Sequence, residues 1–78
     1  MMKEVLEIIA KALVDNPDDV NITESDNGDN SITLELRVAQ SDMGKVIGKQ
    51  GRIAKAIRTV VKAAASRENK KASVDIIE

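Results

Sequence analysis

The run Val46-Ile47-Gly48-Lys49-Gln50-Gly51-Arg52-Ile53 limits what this chain can become, because two glycines bracket two polar residues between apolar segments. Glycine accepts backbone angles that other residues avoid, and it lets another molecule come close to the main chain. Four residues are too few for a strand, so 48–51 reads as a tight loop. Residues 52–65 then follow helical spacing, which places Gly51 at a helix N-terminus. Free N–H groups and the helix dipole favour an anion there, phosphate above all, and Lys49 and Arg52 add full positive charge.

The charge distribution points to the same place. A net charge of −1 argues, taken alone, against a nucleic-acid binder. Residues 1–44, however, carry three basic and ten acidic side chains, whereas 43–67 carry seven basic and none acidic. Local field governs polyanion binding more than net charge, and a basic stripe on an acidic body repels phosphate from every face but one. Phe, Tyr, Trp, His and Cys are all absent. The core must therefore come from Ile, Leu, Val, Met and Ala, and bases cannot stack on aromatic rings. Without imidazole or thiolate, catalysis would rest on carboxylates, lysines or a metal in a chain too small for a deep cleft, so no enzyme, no cofactor and no metal site is expected. Glu24, Asp26 and Asp29 read as a soluble hairpin tip. Residues 1–78 make one domain, near the size at which a core just suffices. No run is apolar enough to span a bilayer and no signal-peptide pattern opens the chain, so no membrane partner and a cytoplasmic location are expected.

Periodicity gives the order of elements. Residues 2–14 are helical, with Met2, Val5, Leu6, Ile9, Ala12 and Leu13 on one side, and Asn16-Pro17 ends the helix. Val20 and Ile22 start a strand, and a turn centred on Asn27-Gly28 leads to a second strand with Ile32, Leu34, Leu36 and Val38 on one face. Ser41 is a plausible N-cap for a short helix over 42–47, with Asp42 near its dipole. In the long helix, Ile53, Ile57, Val60 and Ala64 are expected to form the buried stripe with Ala56 and Val61 beside it; Arg52, Lys55, Arg58 and Lys62 are expected on the opposite arc. After a polar connection, Ala72, Val74 and Ile76 alternate as a third strand. Helix–strand–strand–helix–helix–strand is an α+β order, and its long crossover suits parallel neighbours, giving a three-stranded mixed sheet with helices packed on one face.

Spacing separates the readings of the glycine loop. A Walker loop needs four residues between its first glycine and Gly-Lys and a following hydroxyl; only three residues separate Gly44 from Gly48, and Gln50 has no hydroxyl. A dinucleotide fingerprint needs G-x-G-x-x-G after a strand, and Val46 occupies the position of its first glycine. What remains is G-x-x-G between two helices. Within V-I-G-K-Q-G-R-I-A-K-A-I and this element order, the chain resembles the KH domain over essentially its whole length, in its type II, bacterial α-β-β-α-α-β form. It is similar to stand-alone single-KH RNA-binding proteins of the KhpA type. One position departs from the family pattern, which favours Ile three residues after the second glycine, where this chain has Ala54 beside Ile53.

The resemblance implies binding of single-stranded RNA, as an RNA chaperone or post-transcriptional regulator, with about four nucleotides clamped by the loop. Carried over by position, Gly48, Lys49, Gln50 and Gly51 are the clamp. Lys45, Val46 and Ile47 form the entering side, Arg52, Lys55 and Arg58 the following helix, and the last strand with Arg67, Lys70 and Lys71 the far wall. Val46 and Ile47 also suit the core. The alternative is a protein-interaction module: a homodimer, or a heterodimer with a Jag/KhpB-type KH protein, through Ile53 or Ala54 beside the loop.

Overall fold

Alternation along residues 32–38 sets the centre of the molecule. In the computed structural model, which describes residues 2–77, Ile32, Leu34, Leu36 and Val38 are buried, whereas Thr33, Glu35 and Arg37 are not. Period-two burial of this kind belongs to a strand packed on one face only. That strand, β2 (Ser31–Arg37), lies between β1 (Asn21–Gly28), antiparallel to it, and β3 (Lys71–Ile77), parallel to it. Ile22 opposes Leu36 and Leu34 opposes Val74, so each neighbour brings its buried residues to the same face.

Three helices cover that face: α1 (Met2–Leu13), α2 (Met43–Ile47) and α3 (Arg52–Arg67). The fold is thus the α+β arrangement expected, with α2 and α3 forming the crossover between β2 and β3. Leu6, Ala10, Leu34, Leu36, Val46, Val61 and Ala65 have no exposed surface and mark the centre of an aliphatic core. No helix among the described residues is long and apolar enough to cross a membrane.

The structure corrects four local readings. In α1 the inward alanine is Ala10, and Ala12 is exposed. In the hairpin, β1 runs on through Gly28 with a bulge, and the turn is made by Asp29 and Asn30, whose φ values of 51° and 60° suit a two-residue loop matched to strand twist. At α2, Ser41 does not cap: Gln40–Asp42 forms a 3₁₀ turn and no side chain caps the helix that follows. In α3 the buried stripe is Ala54, Ile57, Val61 and Ala65, one residue on from Ile53, Val60 and Ala64, and Val60 is 47% exposed. The helix has aliphatic residues on more than half its circumference, so packing and not period selects the inward face.

Candidate nucleic-acid interface

The glycine loop depends on α2 being held in place, and Asp42 holds it. This carboxylate is 1% exposed and accepts from the Asp15 and Asn16 N–H groups (3.2 and 3.0 Å) and from Asn16 Nδ2 (3.0 Å), so it ties the end of α1 to the start of α2. Burial pushes its carboxyl up, but the bonds from the Asn16 side chain and the two N–H groups, together with the Lys45 charge, hold it below the usual carboxylate range. Lys45 lies 3.0 Å from Asp15 and 3.7 Å from Asp42. The Asp15 hydrogen bond and charge raise its ammonium above its ordinary value. Sequence reasoning placed Asp42 at a helix dipole and missed this anchor, since its partners lie more than twenty residues away.

Residues 48–51 turn the chain sharply into α3. Gly48 has φ 74° and ψ 176°, a combination essentially confined to glycine, and a Cβ there would lie 2.6 Å from Ile53 Cγ1. Gln50 (φ 56°) and Gly51 (φ 72°) are both left-handed. The Gly48 N–H donates to the Gly44 carbonyl (2.9 Å) and the Gly51 N–H to the Gly48 carbonyl (3.2 Å). The Arg52 N–H turns back to the Lys49 carbonyl, whereas among the described residues the Lys49 and Gln50 N–H groups have no acceptor, and the cap positions Gly48 and Gly51 offer no side chain. Turns of this kind offer an anion a concavity lined by N–H groups.

The cations expected as one cluster fall into three places. Lys45, on α2, is ion-paired to Asp15 and Asp42. Arg52 starts α3, reaches toward Gln50 Oε1 (3.5 Å) and lines an apolar groove with Ile9, Leu13, Ile53, Ala56, Ile57 and Val60. Arg58 lies on the β3 side of α3, where its Nε donates to the Val74 carbonyl at 3.1 Å. Helical rotation of about 100° per residue puts Lys55 and Lys62 on this same flank, so α3 is cationic toward β3 and aliphatic toward α1. Among the described residues, Lys49, Arg52, Lys55, Arg58 and Lys62 have no carboxylate within ion-pair distance. Val46 is fully buried and Ile47 half-buried, so their place is beneath the loop. Ala54, once expected as an exposed contact, is 4% exposed and belongs to the core.

Strand β3 packs along this flank of α3. The Lys71 N–H donates to the Asn30 carbonyl (2.8 Å), so alternation turns the main-chain groups of Ala72, Val74 and Ile76 to the sheet's free edge. Arg58 takes one of them; the others face the strip between α3 and β3.

A model of the KhpA/KhpB KH domain matches residues 3–76. A Clostridium perfringens RNA-binding protein KhpA is 70% identical over 76 residues, covering 97% of this chain and all of the relative. The Clostridium acetobutylicum KhpA is 67% identical over the same shares of both chains, and the Halalkalibacterium halodurans KhpA is 56% identical over 99% of this chain and all of its own. With the element order, the mixed sheet and the glycine turn in place, the chain belongs to the KhpA/KhpB family of KH-domain proteins.

Proposed function

We propose that this protein binds single-stranded RNA, with the turn at 48–51 gripping the sugar–phosphate backbone and the strip between α3 and β3 receiving the bases. The observation that carries this reading is the left-handed Gln50-Gly51 pair just before α3, where among the described residues the Lys49 and Gln50 N–H groups have no protein acceptor and the Lys49 ammonium has no carboxylate within ion-pair distance. Phosphate takes N–H and ammonium donors together, which accounts for a binding turn in a chain without aromatic rings. The outward N–H and C=O groups of β3 offer hydrogen bonds to base edges. The relatives' description as RNA-binding proteins agrees with this. Grip without strong base reading suits an RNA chaperone or post-transcriptional regulator.

The test is fluorescence anisotropy with a labelled oligouridylate. Binding is expected to be weak and to fall with salt, the logarithmic slope being about −0.7 per phosphate engaged. Changing Lys49 and Gln50 together to Asp sets carboxylates where phosphates belong, so affinity should drop at least about tenfold while the melting curve stays in place. Retained binding by that double variant, correctly folded, rules out the clamp.

One further observation favours self-pairing as a second activity. The α1 side of α3 carries a groove of about 400 Å³ lined almost wholly by aliphatic side chains, with Val60 half exposed at its rim. A second copy, or a Jag/KhpB-type KH protein, would bury this surface without covering the cationic flank. Ultracentrifugation over a concentration series should show a dimer that Val60→Glu abolishes; a monomer mass throughout removes the homodimer.

A further inference from the structure

The far end of α3 carries a second basic feature. A cavity of about 510 Å³ lies where the helix hands over to β3, lined by Lys62, Ser66, Lys70, Lys71, Ala72 and Ser73. Three lysines and two serines line it, and among the described residues no carboxylate does. Among the described residues none of the three lysines has a carboxylate within ion-pair distance, whereas Lys11 and Lys45 do. The chain has one more acid than base, so three uncompensated lysines on one cavity stand against the general balance. Complementing the helix dipole explains little of this. That effect is confined to the last turn of a helix ending at Arg67, whereas Lys62 lies more than a turn before the end and Lys71 in the strand beyond.

The backbone under the cluster is well held. Asn69, at φ 58°, closes α3 in a Schellman arrangement: the Lys70 N–H donates to the Ala65 carbonyl (2.9 Å) and the Asn69 N–H to the Ser66 carbonyl (3.0 Å). The Lys71 N–H is bonded to the Asn30 carbonyl in the hairpin turn, and the Ser73 hydroxyl lies 3.3 Å from that of Thr33. The cavity sits on the same flank of α3 as Lys55 and Arg58. By helical rise its helix residues lie about 16–22 Å from the glycine turn, a span of several nucleotides.

We propose that this lysine-lined cavity is a second phosphate site, taking a later phosphate of the same single strand that the glycine turn grips, so that the bound segment exceeds the four nucleotides of the clamp. The inference rests on the clamp reading for the strand's first contact, but the cavity's chemistry stands apart from it. Ammonium groups on flexible stems accept a phosphodiester in many orientations, which suits a backbone contact that does not read sequence.

The experiment compares labelled oligouridylates of about four and about ten nucleotides on the wild type and on Lys62→Ala/Lys70→Ala/Lys71→Ala, with stoichiometry from titration and folding from thermal melts. The longer strand should bind wild type at least about tenfold tighter. The triple variant should cancel that gain and reduce the salt slope for the longer strand by about 2, with a distinctly smaller loss for the short strand, whose groove Lys70 and Lys71 only border. Equal affinities for the two lengths in the wild type overturn the proposal, as does a length gain that survives in the triple variant. Two short strands bound per chain, the second lost in the triple variant, would make the cavity a site for a separate strand and likewise overturn it. The clamp fails independently if Lys49→Asp/Gln50→Asp leaves short-strand binding intact; loss of the length gain in the triple variant would still uphold the cavity.

Discussion

Gly48 and Ile53 are packed so closely that a methyl group on the glycine would stand 2.6 Å from Ile53 Cγ1 and 3.0 Å from its Cβ. The first residue of the turn therefore has no side chain for two reasons, its backbone angles and its neighbour. Gly51 shares only the first, since nothing lies within 4 Å of the Cβ it lacks. Gly51→Ala should cost about 1–2 kcal/mol, and Gly48→Ala at least about 1 kcal/mol more. Adding Ile53→Ala to Gly48→Ala should recover part of the extra loss, a coupling that a double-mutant cycle in urea reads directly. Equal losses for the two glycine variants would show that the contact with Ile53 is not what excludes a side chain.

Asp42 predicts an acid limit to stability. Its carboxyl is held below the ordinary value when folded, so its contribution is present above about pH 4 and is lost as pH falls through the lowered value. Lys45 behaves in the opposite sense: its raised ammonium contributes fully below its ordinary value, about 10.4, and the contribution is lost as pH rises through the raised one. Asp42→Asn cannot satisfy the same donors and should lower Tm by about 5–10 °C near neutral pH. It should also flatten the fall in Tm between about pH 5 and pH 2. An acid limb as steep as wild type's would place the sensitivity in another carboxylate.

The bond from Arg58 to the Val74 carbonyl joins the cationic flank of α3 to the free edge of β3. Arg58→Lys keeps the charge and loses the planar donor. Because the side chain is largely exposed, stability should fall by under about 1 kcal/mol. The salt slope of RNA binding should hardly change. A slope reduced as far as in Arg58→Ala would mean that Arg58 meets phosphate through its guanidinium geometry and not through charge alone.

Burial separates two aliphatic residues of similar size. Leu34 has no exposed surface at the centre of β2, and Leu34→Ala should cost about 3 kcal/mol, a large share of the total stability of a domain this small. Ile8 is 70% exposed on α1, and Ile8→Gln should stay within about 0.5 kcal/mol of wild type. Comparable losses would mean that Ile8 is covered in solution, as a partner on that helix would make it.

Local chemistry is enough to determine the order of elements, the single buried face of β2 and the existence of a tight glycine turn between α2 and α3. Alternation at 32–38, Pro17 and the glycines at 48 and 51 act through nearest neighbours, which is why they are legible in the chain itself. Tertiary structure alone decided which arc of α3 is buried, since aliphatic residues there satisfy two faces and only the fit against β2 and α1 selects between them. It also turned Asp42 inward, ion-paired Lys45, and separated Arg52 from Arg58 across the helix. Each of these depends on groups far apart in sequence whose approach is set by packing, and a one-dimensional pattern carries no term for that.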